Sequence, residues 1–108
     1  MGTYWYLPPE CFVSDQKSVI SPKVDVWSLG VIYYEMIFGE KPFGNQMSQM
    51  RILNEGIMLK ASVVNFPNTQ KGLISNDSKD FIRDCLAYNV DQRIDIKTAL
   101  NHKMFDKK

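Results

Sequence analysis

The sequence predicts an all-α fold without a sizeable sheet, and three observations lead to that prediction. Apolar residues recur at helical spacing in three segments, near residues 22–38, 46–55 and 77–88. Residues that favour helix starts and ends stand at the borders of these segments. No strand-like alternation of apolar and polar residues of useful length is present.

The composition is that of a soluble domain of ordinary size. The chain has 108 residues, a hydrophobic fraction of 44% and a net charge of +1. This charge gives no electrostatic reason to expect nucleic acid or an acidic membrane as a direct partner. The most apolar stretch, residues 24–38, contains Asp25 and Glu35 and is shorter than the roughly 20 residues of a membrane span. We therefore expect an intracellular protein without a membrane segment.

The cysteines and the histidine give no metal site. Cys11 and Cys85 form no CxxC pair and His102 is the one histidine, so the chain cannot supply a four-ligand zinc site from Cys and His. A disulfide is possible in principle, but we interpret the cysteines as two buried free thiols. His102 is interpreted as a surface residue near a helix C-terminus, without a base or nucleophile beside it.

The first elements are short. Residues 2–7 are aromatic and extended in character, and Pro8-Pro9 keeps the preceding backbone out of the helical region. A helical turn through Glu10–Phe12 is expected, followed by a surface loop over residues 13–20.

The strongest element is a helix from Pro22 to Phe38. Ser21 is a favourable N-cap, Pro22 suits the first helical position, and Gly39 suits the position after the last turn. Two apolar stripes lie on different faces, so we expect protein to cover the helix on most sides. The stripes are residues 24, 27, 31, 34 and 38, and residues 26, 29, 33 and 37.

The middle of the chain predicts a loop over residues 40–44 and a helix over Gln46–Glu55. Asn45 is the expected cap and Gly56 the expected end. The expected apolar face of this helix is Met47, Met50 and Leu53. Residues 57–76 are interpreted as irregular, with core contacts from Val63, Val64 and Phe66.

The last part predicts a helix over Asp77–Tyr88, a turn over residues 89–94, and a short helix capped by Asp95. The apolar face of the longer helix is Phe81, Ile82, Cys85 and Leu86, and the short helix is expected to bury Ile96, Ala99 and Leu100. The tail over residues 102–108 is expected to dock through Met104 and Phe105 and then fray.

Four motifs, in order, resemble those of Ser/Thr protein kinases. The segment GTYWYLPPE at residues 2–10 is similar to the end of the activation segment, with Pro8 in place of the usual alanine. The segment KVDVWSLGV at residues 23–31 resembles the start of the central kinase helix, and GEKPF at residues 39–43 resembles the turn after it. Arg93 stands where kinases place an arginine before their last helices.

Further segments resemble the Tousled-like kinases, namely GTYWYLPPECF, KVDVWSLGVI, KPFG, MLKA and DFIRDCLAY. The resemblance covers nearly the whole chain. It implies that residues 1–108 are a partial kinase domain, running from the end of the activation segment through the last helices of the C-lobe, without the N-lobe and catalytic loop. It also implies a nuclear location.

The resemblance assigns a substrate-side loop to Thr3, Tyr4, Trp5, Tyr6 and Leu7. Thr3 resembles the threonine that hydrogen-bonds the catalytic aspartate and lysine, which implies Ser/Thr substrates. The four residues after it would shape the pocket for the substrate residue that follows the phosphorylated one. For Trp5 and Tyr6, plain hydrophobic packing is an equally good interpretation.

Four residues are assigned a supporting role. The resemblance implies a buried ion pair between Glu10 and Arg93, although two solvent-exposed charges are the simpler interpretation of these residues alone. Asp25 either complements the helix dipole or, as the resemblance implies, accepts backbone N–H bonds from a catalytic loop. Trp27 and the six methionines are interpreted as core.

Phosphoryl transfer needs a glycine-rich loop, a paired lysine, a catalytic aspartate and metal ligands, and none of these motifs occurs in the sequence. We expect no catalytic, cofactor-binding or metal-binding residue in this chain, which should be inactive alone. The resemblance implies a parent kinase that uses ATP and magnesium to phosphorylate Ser or Thr of protein substrates. The alternative is a non-catalytic helical interaction module or a piece of a pseudokinase. Exposed apolar surface also leads us to expect self-association.

Overall fold

A computed structural model describes residues 4–12, 22–66 and 75–102, and every regular element in these ranges is helical. The all-α prediction is therefore confirmed for this part of the chain. The predictions for Thr3, Ser21 and residues 13–20 and 103–108 lie outside the described residues. The α-helices are α1 (Lys23–Phe38), α2 (Gln49–Asn54), α3 (Asn76–Cys85) and α4 (Ile96–Leu100), and short 3-10 turns span Tyr4–Tyr6, Pro9–Phe12 and Met58–Lys60.

Helix α1 is the centre of the fold and ends where the sequence predicts. The backbone N–H of Gly39 donates to the carbonyl oxygen of Glu35 at 2.8 Å, and Gly39 has a left-handed φ of 76°. Such a φ suits glycine because it has no Cβ. The buried residues of α1 lie on one side of the helix and are Val26, Trp27, Gly30, Val31 and Tyr34.

The opposite face of α1 is open, so the described residues do not cover this helix on most sides. This agrees with the prediction that the chain leaves apolar surface exposed. Asp25, Leu29, Ile32 and Met36 are all exposed, and the Met36 side chain retains 76% of its accessible surface. Their spacing of four, three and four residues places them within roughly 60° of arc on the helix. We call this set the open face of α1. The described residues leave all four of these side chains exposed in part, although three of them are apolar.

Helix α3 packs closely on the buried side of α1, and Gly30 makes that approach possible. A Cβ atom at Gly30 would lie 2.7 Å from the Cβ of Cys85 and 3.0 Å from a methyl carbon of Leu86. The main core cluster consists of Trp27, Val31, Tyr34, Ile52, Met58, Ala61, Ile82 and Leu86. A second cluster joins α4 to the same two helices through Val26, Phe81, Cys85 and Ala99.

Helix α2 is shorter than predicted and buries a different face. Its cap is Ser48 rather than Asn45, because the Ser48 hydroxyl accepts the Arg51 backbone N–H at 3.1 Å. The side chain that enters the core is Ile52. Met50 and Leu53 are exposed, so the predicted apolar face was wrong and only Met47 of that set packs against the core.

Residues 57–76 were predicted to be irregular. In the structure, Met58–Lys60 form a short 3-10 turn and residues 61–66 are irregular, as predicted. Val64 and Phe66 pack against the core as predicted, whereas Val63 is exposed. None of the helices that the structure describes is long and apolar enough to span a bilayer.

Helix α3 begins one residue before the predicted start and ends at Cys85, three residues before the predicted end. All four predicted apolar residues of this helix and its C-cap are buried: Phe81, Ile82, Cys85 and Leu86. In α4 the Asp95 side chain accepts the Thr98 backbone N–H at 2.8 Å, which confirms the predicted cap. Ala99 is buried as predicted, but Ile96 and Leu100 are exposed, because the five-residue helix turns a single face toward the core.

Further predictions about single residues were wrong in whole or in part. Met36 and Met50 are exposed, although all six methionines were predicted to lie in the core. Cys11 is exposed rather than buried, while Cys85 is buried as predicted. His102 lies just after the C-terminus of α4, as predicted, but it does not stand alone at the surface. Its Nε2 atom lies 3.0 Å from Oδ2 of Asp84, and its ring makes a T-shaped contact with Phe81 at a centroid distance of 5.2 Å. The backbone turn after α4 folds the His102 ring back onto α3, a long-range contact that local sequence patterns do not encode.

Candidate functional site

Glu10 and Arg93 form a bidentate ion pair between the two ends of the described chain. Nη1 of Arg93 donates to Oε2 of Glu10 at 2.8 Å, and Nη2 donates to Oε1 at 2.9 Å. Arg93 retains only 2% of its accessible surface. The pairing that the kinase resemblance implies is thus present, and two exposed charges that never meet are excluded.

The Arg93 guanidinium also bonds to the main chain around it. Nε donates to the carbonyl oxygen of Ala87 at 2.9 Å, and Nη1 donates to that of Lys23 at 3.1 Å. A longer bond of 3.4 Å joins Nη2 to the carbonyl oxygen of Tyr88. One side chain therefore ties the turn after α3 to the start of α1 and to Glu10, and the planar fork of arginine is suited to several directed bonds of this kind.

Trp27 lies beside this pair in the core, as predicted. The Arg93 guanidinium carbon is 5.1 Å from the centroid of the indole ring, within the range of a cation–π contact. Phe43 stacks on Trp27 with a centroid distance of 5.7 Å and an interplanar angle of 20°. The indole Nε1 is buried and has no hydrogen-bond acceptor among residues 4–12, 22–66 and 75–102.

The predicted substrate-side loop is described for Tyr4–Leu7, and its first three residues form a 3-10 turn rather than the extended backbone predicted for them. The backbone N–H of Tyr4 donates to Oε1 of Gln49 in α2 at 3.0 Å. Nε1 of Trp5 donates to the carbonyl oxygen of Gly44 at 2.9 Å. These two bonds fix Tyr4 and Trp5 to the segment that follows α1.

Two bonds attach the same loop to α1 itself. The Ser28 hydroxyl donates to the carbonyl oxygen of Tyr6 at 2.7 Å. The Tyr6 hydroxyl donates to Oε1 of Glu35, also at 2.7 Å. Tyr6 therefore contacts α1 at two points about two turns apart, so its ring is held by directed bonds in addition to packing.

A small charged cluster surrounds the Tyr6 hydroxyl. Lys41 Nζ lies 3.2 Å from Oε2 of Glu35 and 5.5 Å from the centroid of the Trp5 ring. The hydrogen bond from Tyr6 lowers the pKa of Glu35 from its usual value, burial opposes this, and Lys41 lowers it further. The same bond raises the pKa of Tyr6, so the phenol stays protonated and acts as the donor.

Asp25, the remaining predicted support residue, has an exposed carboxylate on the open face of α1. No hydrogen bond to that carboxylate comes from any residue that the structure describes. Its position at the start of α1 is compatible with the helix-dipole interpretation, and it also leaves both oxygens able to accept bonds from another segment.

Sequence reasoning missed four residues that hold the loop: Ser28, Glu35, Lys41 and Gln49. One signal for Glu35 was available, because a carboxylate in the last turn of an apolar helix is unfavourable beside the negative end of the helix dipole. Such a residue needs a donor or a cation nearby, and here Tyr6 and Lys41 fill that need. Ser28 gave no comparable signal, since a serine within a helix often bonds only to its own backbone.

The described residues hold no group of three or more His, Cys, Asp or Glu side chains that could bind a metal ion. The sequence also contains no glycine-rich phosphate loop. The residues that the structure describes therefore do not fit a site for ATP with magnesium.

The helical core and the pairing of Glu10 with Arg93 are features that the kinase resemblance implies. The model of the protein kinase domain family matches residues 1–105, and the chain belongs to that family.

Its curated relatives include Tousled kinases from plants and animals. The chain is 56% identical over 97 residues to the serine/threonine-protein kinase TOUSLED of Arabidopsis thaliana, which covers 90% of this chain and 14% of the relative. It is 54% identical over 97 residues to the human serine/threonine-protein kinase tousled-like 2, covering 89% of this chain and 12% of the relative. The Caenorhabditis elegans tousled-like 1 kinase is 46% identical over 104 residues, which is 96% of this chain and 10% of that protein. The chain thus spans about one seventh or less of the length of these relatives.

Proposed function

We propose that this chain is the part of a Tousled-like Ser/Thr protein kinase that holds the substrate-side loop and the helical support of the C-lobe. The observation that carries the proposal is the bidentate Glu10–Arg93 pair, which anchors the end of the loop segment beside α1. In this proposal the parent protein transfers the γ-phosphate of ATP, with magnesium, to Ser or Thr hydroxyls of protein substrates. The 108 residues alone supply none of the groups that perform the transfer.

The open face of α1 is the proposed docking surface for the rest of the kinase domain. Leu29, Ile32 and Met36 present apolar surface there, and Asp25 adds a carboxylate at one end. An apolar stripe of this kind on a central helix is stabilised when another segment covers it. We further propose that Asp25 accepts backbone N–H bonds from that covering segment.

Self-association of the 108-residue chain through the open face stays a prediction, and a clean monomer at micromolar concentration in sedimentation would contradict it. The nuclear location also stays a prediction that rests on the family resemblance.

The proposal is tested by phosphate transfer from radiolabelled ATP and magnesium to peptides that carry Ser, Thr or Tyr as the one acceptor. The complete protein from the same reading frame should label Ser and Thr peptides and leave Tyr peptides unlabelled. The 108-residue chain should label none. Absence of transfer by the complete protein would refute the kinase proposal and favour a non-catalytic interaction module or a pseudokinase.

A matched pair of variants tests the role of Asp25. Asp25→Asn in the complete protein should lower kcat by about 10-fold to 100-fold, because a charged acceptor becomes a neutral one. Asp91→Asn makes the same change at an exposed turn outside α1 and should leave kcat unchanged. Equal activities for the two variants would contradict the proposed role of Asp25.

A further inference from the structure

Both carboxylate oxygens of Glu35 are occupied by neighbours within the chain. Tyr6 donates to Oε1 at 2.7 Å and Lys41 donates to Oε2 at 3.2 Å. Among the described residues, Glu35 is the one carboxylate that is hydrogen-bonded to a side chain of the substrate-side loop. A peptide bound across Tyr4–Leu7 beside the Tyr6 side chain would lie near this carboxylate and its two donors.

The cluster is open enough for a bound peptide to contact it. The Glu35 side chain retains 34% of its accessible surface and that of Lys41 retains 25%. A carboxylate can accept about four hydrogen bonds, so two donors do not exhaust it. What Lys41 changes is the charge: with its ammonium in place the pair is neutral, and without it a single negative charge would stand beside the loop.

We infer, on the basis of the proposed function, that Lys41 determines charge selection at the substrate-side loop by neutralising Glu35. The ammonium group prevents Glu35 from selecting a basic side chain in the protein substrate. Substrates of this kinase are therefore accepted at that position without a requirement for Arg or Lys.

Lys41, rather than Tyr6, is the determining residue because Tyr6 is a neutral donor. Loss of the Tyr6 hydroxyl removes one hydrogen bond and leaves the charge of the pair at zero. Loss of the Lys41 ammonium leaves an uncompensated carboxylate. The backbone at Lys41 has its own support, since its N–H donates to Oδ1 of Asn45 at 3.1 Å. A side-chain substitution at this position should therefore keep the turn in place.

The experiment compares peptides that carry either Arg or its neutral analogue citrulline, placed at each position around a single Ser acceptor. The complete protein and its variants are assayed for kcat/KM and, by fluorescence anisotropy without ATP, for Kd. The wild-type protein and Lys41→Arg should show Arg-to-citrulline ratios within about twofold of one at the positions where Lys41→Met raises the ratio. Lys41→Met should raise the ratio about tenfold at one or two positions, in both kcat/KM and Kd.

Two controls separate this effect from a general change in charge. The double variant Lys41→Met with Glu35→Gln should return to the wild-type ratio, because the free carboxylate is gone. Lys97→Met removes the same charge from exposed α4 and should also keep the wild-type ratio.

Three results would overturn the inference: an unchanged ratio in Lys41→Met, the same rise in Lys97→Met, or a rise that persists in the double variant. If no protein transfers phosphate to any peptide, the proposed function fails, and the Kd ratios still decide whether Lys41 controls selection of Arg.

Discussion

Replacing Glu10 by glutamine should remove a large part of the stability of this chain. The change keeps the shape of the side chain but leaves the Arg93 guanidinium, 2% exposed, without its counter-charge. Two charge-assisted bonds of 2.8 and 2.9 Å are affected. Loss of one partner of a buried pair costs about 3–5 kcal/mol, and we expect the low end, about 3 kcal/mol, because the Glu10 side chain retains 26% of its accessible surface and glutamine keeps one acceptor oxygen. Domains of ordinary size have only about 5–15 kcal/mol in total.

The assay is equilibrium unfolding in urea, followed by tryptophan fluorescence. With a slope of about 1.5 kcal/mol per molar urea, the expected loss lowers the midpoint by about 2 M. The matched control is Glu55→Gln, which disrupts an exposed pair with Arg51 on α2 and should leave the midpoint unchanged. A Glu10→Gln midpoint equal to that of the control would refute the reasoning, because it would mean that Arg93 is not held by this carboxylate.

Three further predictions concern packing, ionisation and reactivity. Gly30→Ala should destabilise the chain by about 1–3 kcal/mol in the same urea assay. The alanine Cβ would lie 2.7 Å from the Cβ of Cys85, and this clash outweighs the better helix propensity of alanine. Unchanged stability would contradict the close packing of α1 on α3. Tyr6→Phe should raise the pKa of Glu35 in an NMR titration, since the lost hydrogen bond is the main cause of the lowered value. Because the pKa of Glu35 in the folded chain lies below the unfolded value of about 4.3, Glu35 stabilises the fold above that value, and this contribution is lost as the pH falls through the folded pKa. Tyr6→Phe should therefore lose less stability on acidification than the wild-type chain. An unchanged pKa of Glu35 would refute this prediction. A thiol reagent at pH 8 should modify Cys11 in the native chain and Cys85 only after unfolding, because Cys85 is buried and burial raises its pKa to about 12; equal native rates would contradict the burial.

The sequence was sufficient for the elements whose determinants are local. The end of α1 at Gly39, the cap at Asp95 and the buried face of α3 follow from capping preferences and apolar spacing, and the structure confirms all three. Helix α2 was harder, because Met50 and Ile52 are equally apolar in sequence and tertiary contact alone decides that Ile52 is buried.

The contacts of the candidate site were only partly predictable. The pairing of Glu10 with Arg93, which are 83 positions apart, came from the family resemblance and not from any local pattern. The bonds from Ser28 and Tyr6 that hold the loop depend on side-chain directions that sequence spacing does not fix. The sequence predicted that some apolar surface is exposed, but which face of α1 is open was not visible in it, because both faces of that helix are apolar and only the packing distinguishes them.

The most direct test of the central proposal, that the open face of α1 receives the rest of a kinase domain, is methionine oxidation by hydrogen peroxide. Met36 on the open face and Met50 on α2 retain 76% and 66% of their accessible surface, so they form a matched pair within one chain. In the 108-residue chain, at a concentration where it is monomeric, both should oxidise at similar rates. In the complete protein, Met36 should oxidise at least about tenfold more slowly than Met50, since covered sulfur atoms are protected. Equal rates for the two methionines in the complete protein would contradict the proposal.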